Sequence, residues 1–183
     1  MANLMDLYKL INEDVKSKYV IYCDMDGVLV DFDRGYKDLT GVTTDHANVQ
    51  GKQNFWDQFN NSLKEKNISE YKYWSELEWE SDGKQLWDCI KPYNPFILTA
   101  PTRNPESKEG KTYWVQNNIG PVRELIFAFP FDKPKYSRKN HILIDDREET
   151  IKAWNSKGGI GIHHTSTRDT IEKLETLGIK CQY

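Results

Sequence analysis

Four aspartates lie close together in the sequence, directly after a short apolar run. The run is YVIYC at residues 19–23, and the acids that follow are Asp24, Asp26, Asp31 and Asp33. Carboxylates this close repel one another, and each raises the pKa of its neighbours unless a cation lies between them. A buried strand that ends in such a cluster therefore predicts a metal or catalytic site.

Polar residues also follow two later apolar runs. FILTAP ends in Thr99, HILIDDRE carries Asp145 and Asp146, and the basic stretch DKPKYSRK precedes the second of these runs. Ligands of parallel α/β sheets bind outside the carboxyl ends of the strands. We therefore expect the carboxylates, one hydroxyl and at least one lysine to converge at one edge of a sheet.

Five short apolar runs predict the strands of that sheet. Helical segments separate the later runs, at 106–117 and 148–156, and a final helix capped near residues 165–167 is predicted through Leu177. Strands that alternate with helices indicate an α/β fold with a parallel five-stranded sheet and helices on both faces. The predicted strands are Tyr19–Cys23, Phe96–Leu98, Glu124–Ala128, His141–Ile144 and Ile160–His163.

A long interval between the first two strands predicts an insertion. It spans about sixty residues and holds four of the six tryptophans. We interpret 34–91 as a small helical cap over the end of the sheet, with 1–33 and 92–183 forming the catalytic core. The apolar spacing at the N-terminus also predicts an amphipathic helix before the first strand.

The composition restricts the classes of partner. The chain of 183 residues is 38% hydrophobic, and its 25 basic against 28 acidic residues give a net charge of −3. This balance disfavours a stable complex with nucleic acid held by charge. Since no apolar run approaches the roughly 18 residues of a membrane span, we expect no membrane partner and a soluble, cytoplasmic protein. If a phage encodes the chain, that location is the host cytoplasm.

The three cysteines form no CxxC pair and are odd in number. Disulfides are rare in reducing compartments. We therefore predict that Cys23, Cys89 and Cys181 are free thiols.

The acid cluster also predicts a type of chemistry. Oxygen-rich carboxylate sites favour Mg²⁺ beside phosphate. An aspartate can attack a phosphoryl group, forming an aspartyl-phosphate that water then hydrolyses. Such a reaction needs an acid for the leaving oxygen and donors for the phosphoryl oxygens, and Asp24, Asp26, Thr99 and a lysine could supply these groups.

Four features of the sequence, taken in order, resemble the four motifs of the haloacid dehalogenase superfamily of phosphotransferases. They are DMDGV after an apolar strand, a strand that ends in Thr, a lysine, and ILIDD. The resemblance implies a Rossmannoid three-layer fold. It also implies that Asp24 is the nucleophile, Asp26 the general acid/base and Thr99 the hydroxyl that binds the phosphoryl group. The backbone amide of Ala100 would bind phosphate, at a position where similar nucleotidases often carry Ser.

The same resemblance implies the Mg²⁺ ligands and the motif lysine. The metal would lie on the side chains of Asp24 and Asp145 and the backbone carbonyl of Asp26, with Asp146 in support. Lys133, Lys135 and Lys139 all precede the fourth strand. We predict Lys135, because it stands ten residues before Asp145, which matches the spacing in similar proteins.

Within this superfamily the sequence is similar to the 5'(3')-deoxyribonucleotidases, including phage and bacterial ones. The similarity rests on the segments DMDGVLVDF, LTAP and ILIDDR and on the aromatic cap. This similarity implies a Mg²⁺-dependent phosphomonoesterase that acts on nucleoside monophosphates. The base would contact Phe32, with Phe55, Trp56 and Trp74 as further walls of the pocket.

Several alternatives stay open at this stage. They are a phosphatase for another small phosphate ester, a phosphatase for a nucleic-acid 3'-phosphate end, and a binding module without catalysis. The preferred base and sugar, the position of the phosphate and the oligomeric state also stay open. Exposed cap aromatics would be compatible with a homodimer.

Overall fold

The computed structural model describes residues 18–49 and 51–181. Within these residues five parallel strands form one sheet in the order β3-β2-β1-β4-β5. This confirms the predicted α/β fold class, while the predicted N-terminal helix lies outside the described residues. The strands are β1 Val20–Cys23, β2 Phe96–Thr99, β3 Leu125–Phe127, β4 His141–Asp145 and β5 Ile160–His163.

Helices precede and connect these strands within the described residues. The first four follow β1 and lie mostly within the predicted insertion: α1 Phe32–Thr40, α2 Thr44–Val49, α3 Lys52–Glu65 and α4 Glu70–Ser75. The remaining α-helices are α5 Gly83–Ile90, α6 Glu106–Asn118, α7 Glu148–Ser156 and α8 Thr167–Thr176. Among the described residues, no helix is long and apolar enough to cross a membrane.

The first strand lies at the centre of the sheet. Ile21, Tyr22 and Cys23 are buried because helices cover both faces, which is why this strand reads as an apolar run without alternation. Its neighbours are β2 and β4. The strand order reverses between β1 and β4, and such a reversal opens a crevice at the carboxyl edge where ligands bind.

Separate apolar clusters support the sheet and the insertion. One face of the sheet packs on α5 and α6 through residues such as Leu86 and Trp114, and the other packs around Trp154. Helices α1 to α4 form their own cluster, which includes Tyr36 and Phe59. Helix α5 packs with the main core although its sequence lies within the predicted cap. The domain boundaries remain a prediction.

The cysteine prediction is wrong for two of the three residues. Cys89 on α5 and Cys181 form a disulfide across 92 positions of sequence, and Cys23 is the buried free thiol. The spacing of the cysteines in the sequence does not indicate this pairing, because only the fold brings the C-terminal segment beside α5. Ile179 is buried there, and the Lys180 amide donates a hydrogen bond to the Tyr93 hydroxyl at 2.8 Å.

Candidate active site

Asp24 lies immediately after the central strand, where the sheet fixes its position. Its amide donates to the Ile144 carbonyl on β4 at 2.9 Å, continuing the ladder between the two strands. The Met25 amide donates to Asp24 Oδ1 at 2.8 Å, and the Lys133 Nζ lies 2.7 Å from Asp24 Oδ2. The buried carboxylate is therefore held in one orientation at the carboxyl edge.

Lys133 joins the two acids that the central strands supply. Its Nζ lies 2.7 Å from both Asp24 Oδ2 and Asp145 Oδ2, and its side chain is only 1% exposed. Burial acts to lower the pKa of Lys133, but the carboxylates of Asp24 and Asp145 outweigh burial and raise it. The lysine is therefore a permanent cation between the acids.

The prediction of Lys135 as the lysine of this cluster is corrected to Lys133. The Lys135 side chain is 75% exposed and forms an ion pair with Asp132. A 3-10 helix, Lys133–Tyr136, begins at the lysine that enters the site. Positions two apart on so tight a helix point in different directions, so Lys135 projects into solvent. Lys139 is exposed as well.

Asp26 contacts a second buried lysine that the sequence analysis did not identify. Lys111 on α6 is fully buried, and its Nζ lies 2.5 Å from Asp26 Oδ2 and 3.0 Å from the Thr99 hydroxyl. Burial raises the pKa of Asp26, while the positive charge of Lys111 opposes that shift. The other oxygen, Asp26 Oδ1, is buried without a hydrogen-bond partner among the described residues.

One signal could have revealed Lys111 in the sequence. It lies at helical spacing from Ser107, Trp114 and Val115, all of which are buried. A lysine on the buried face of a helix needs a charged partner. Because the helix follows the strand that ends in Thr99, the partner of Lys111 is expected at the carboxyl edge of the sheet.

A tight turn brings the chain after Asp24 back toward the acids. The Met25 carbonyl accepts hydrogen bonds from the amides of Val28, Leu29 and Val30 at 2.8 to 3.2 Å. Gly27 has a φ of +70°, and a Cβ atom there would lie 2.9 Å from Asp146 Oδ2. The backbone conformation favours glycine at this position, and any Cβ atom there would force the Asp146 side chain to shift.

Three carboxylates form a group that fits a hard cation. Ligand oxygens of Asp24, Asp145 and Asp146 all lie within 4.8 Å of one another. Desolvation, and next the charge of Asp24, raise the pKa of Asp145 to about 6 and that of Asp146, which still reaches the surface, to about 8. A divalent cation bound here would relieve the repulsion that raises these pKa values.

Thr99 lies on β2, which pairs with β1 in parallel, so both Thr99 and Asp24 lie at the carboxyl edge of the sheet. Thr99 ends β2, it is fully buried, and its hydroxyl accepts the hydrogen bond from Lys111. Its carbonyl accepts from the Ala128 amide at 2.9 Å, which anchors the loop after β3 to the site. Ala100 follows as a half-buried residue at the same edge.

The predicted base-pocket aromatics lie mainly within the apolar cluster of the insertion. Phe55 and Trp74 are buried, while Phe32 and Trp56 are partly buried against the same cluster. Phe32 stacks on Trp74 with ring centroids 5.5 Å apart. The Lys111 Nζ lies 4.3 Å from the centroid of the Trp74 ring, so this stack reaches the site through a cation–π contact.

Comparison with known proteins identifies the fold. No family model matches the sequence, and no curated protein matches it. A dehalogenase structure has a TM-score of 0.51 and 9% identity, covering 81% of this chain and 85% of that chain. A dehalogenase with an intermediate complex has a TM-score of 0.50 and 8% identity, covering 91% and 99%.

A hydrolase from Streptococcus pneumoniae TIGR4 is similar over 86% of this chain and 99% of its own, with 17% identity and a TM-score of 0.48. At these identities the likeness is one of fold. The chain shares the Rossmannoid α/β fold of the two dehalogenase structures, with a cluster of acids and two buried lysines at the carboxyl edge of its sheet.

Proposed function

We propose that this protein is a Mg²⁺-dependent phosphomonoesterase that acts through an aspartyl-phosphate on Asp24. The observation that carries the proposal is the fixed Asp24 carboxylate at the end of the central strand, with Asp26, Thr99 and two lysines around it. A nucleophile, an acid and donors for phosphoryl oxygens are the groups that this reaction needs.

In the proposed reaction a carboxylate oxygen of Asp24 attacks phosphorus, and the bond from phosphorus to the leaving oxygen breaks. Asp26 gives its proton to that oxygen, and its raised pKa favours the protonated form that donates. Water then attacks phosphorus while Asp26 takes a proton from it, the bond from phosphorus to the Asp24 oxygen breaks, and inorganic phosphate leaves with the Asp24 carboxylate restored. The Thr99 hydroxyl and Lys133 would bind the phosphoryl oxygens meanwhile.

Mg²⁺ would be held by Asp24, Asp145 and the Asp26 carbonyl, with Asp146 beside them, and would neutralise charge on the phosphoryl group. The proposed substrates are nucleoside monophosphates, in keeping with DMDGVLVDF, LTAP and the aromatic insertion. Partly buried Phe32 and Trp56 are the residues of the predicted pocket with ring surface left to contact a base.

The test is phosphate release from nucleoside monophosphates, sugar phosphates and a 3'-phosphorylated oligonucleotide, with Mg²⁺ or EDTA. We expect Mg²⁺-dependent release that is fastest with deoxynucleotides, and a loss of at least about a thousandfold in kcat for Asp24→Asn. Lys135→Met is the matched control for Lys133→Met, since of these two lysines only Lys133 contacts Asp24 and Asp145. Equal release from every ester would reject the nucleotide preference, and release by Asp24→Asn at the wild-type rate would reject the mechanism.

A further inference from the structure

A pair of phenylalanine rings lies exposed in the loop that leads to Lys133. Phe129 is 38% exposed and Phe131 is 77% exposed. Their ring centroids are 5.8 Å apart and their planes differ by 9°, so the rings are stacked. Among the exposed large hydrophobic side chains of residues 18–49 and 51–181, Phe131 presents the most exposed aromatic ring.

The loop is fastened to the candidate active site at both ends. The Ala128 amide donates to the Thr99 carbonyl at 2.9 Å, so the loop starts beside the phosphoryl-binding threonine. At its other end the Phe129 carbonyl accepts from the amides of Asp132 and Lys133 at 2.8 and 3.1 Å. The short turn that carries the two rings therefore also positions the lysine that contacts Asp24.

This placement puts the loop that carries the rings at the carboxyl edge of the sheet, between the end of β3 and Lys133. A phosphoryl group on Asp24 and Thr99 leaves the rest of the substrate to extend outward from that edge. The insertion provides less free ring surface, because Phe55 and Trp74 are buried against other aromatic rings and Phe32 and Trp56 are partly buried against the same cluster. A planar group of the substrate needs an exposed ring face, and Phe131 provides one.

We propose that Phe129 and Phe131 form a stacking platform for the nucleobase of the substrate. This inference rests on the proposed function and deepens it: it adds two residues outside the insertion, Phe129 and Phe131, to the surface that contacts the base of the nucleoside monophosphate. Stacking on an aromatic face does not read the hydrogen-bonding edge of a base, so the platform accepts purines and pyrimidines alike. Phe129 supports the inner face of the Phe131 ring and so holds its outer face open.

The experiment compares kcat/KM for a purine nucleotide, a pyrimidine nucleotide and ribose 5-phosphate, which has the sugar and phosphate but no base. We expect Phe131→Ala to lower kcat/KM about five- to tenfold for both nucleotides, mainly through KM, and to change it less than about twofold for ribose 5-phosphate. Phe131→Trp restores nucleotide turnover. Tyr113→Ala is the matched control, since Tyr113 is another exposed ring, packed on Tyr71.

A binding measurement separates this inference from the reaction itself. Asp24→Asn is titrated calorimetrically with the purine nucleotide, alone and combined with Phe131→Ala. Weaker binding in the double variant supports the platform even where turnover is absent. An equal loss of kcat/KM on all three esters would overturn the platform while leaving the phosphatase intact. A change in oligomeric state with Phe131→Ala, without any selective loss on nucleotides, would also overturn it and would assign the rings to an interface between copies.

Discussion

At the scale of single residues, the site depends on pairing three acids with two buried lysines. Asp24 and Asp145 share Lys133, whereas Asp26 has Lys111. The motif acids could be predicted from the sequence because each follows an apolar run. The lysines could not be identified from their sequence distance to Asp145. Lys133 lies twelve positions before Asp145, not the ten that we expected, and Lys111 lies on a helix outside the four motifs.

Lys111 lowers the cost of ionising Asp26, and its removal should change the pH profile. In Lys111→Met, burial would act on Asp26 without the opposing cation, so the pKa of Asp26 should rise further. Because water activation in the proposed reaction needs ionised Asp26, the acidic limb of kcat against pH should move to higher pH by about one unit or more, and kcat at neutral pH should fall about tenfold or more.

The control for that pH profile is Lys108→Met. Lys108 is an exposed lysine on the same helix, and its ammonium group lies over the Phe127 ring. It should keep the wild-type profile. An unchanged acidic limb in a folded Lys111→Met protein would show that Lys111 does not act on Asp26.

At the scale of elements, the strands and the later helices agree closely with the sequence prediction, since each is a short apolar run or an amphipathic segment between turn residues. The predicted strand Ile160–His163 and helix Glu148–Ser156 have the observed bounds. Helices α1 to α4 were not predicted one by one. Their aromatic residues pack on one another, which obscures any apolar stripe directed at the sheet.

The contact between α6 and α4 predicts an unusual effect of alanine. A Cβ atom at Gly110 would lie 2.5 Å from the Tyr71 carbonyl oxygen and 2.8 Å from Trp74 Cβ. Gly→Ala inside a helix normally stabilises by about 0.5–1 kcal/mol. Gly110→Ala should instead lower the free energy of unfolding by about 1–3 kcal/mol through overpacking. Denaturant unfolding measures this change, with exposed Glu109→Ala as the control, and stabilisation by Gly110→Ala would contradict the close packing.

At the scale of the whole molecule, the disulfide between Cys89 and Cys181 ties the C-terminal segment to α5. That helix packs close to the turn after Asp24, since a Cβ atom at Gly83 would lie 2.8 Å from the Leu29 carbonyl oxygen. The sequence could not predict the pairing, because cysteines 92 positions apart carry no local signal of contact.

Reduction of this disulfide should destabilise the fold. Opening a loop of 92 residues returns entropy to the unfolded chain, and the expected loss of unfolding free energy is about 2–5 kcal/mol. Thermal unfolding with and without dithiothreitol measures it. Cys181→Ser is the internal control, because its melting temperature should not respond to the reductant. A wild-type melting temperature that is equally insensitive would show that the thiols are unpaired in solution.

The central claim is that Asp24 carries the phosphoryl group during turnover, and trapping that intermediate tests it most directly. Wild-type protein mixed with deoxynucleoside monophosphate and Mg²⁺ is acid-quenched within milliseconds, and the peptide containing Asp24 is weighed by mass spectrometry. The account predicts an added phosphoryl group on Asp24 that is absent in EDTA and in Asp24→Asn. Phosphate release at the wild-type rate from Asp24→Asn, with no phosphorylated peptide at any quench time, would contradict it.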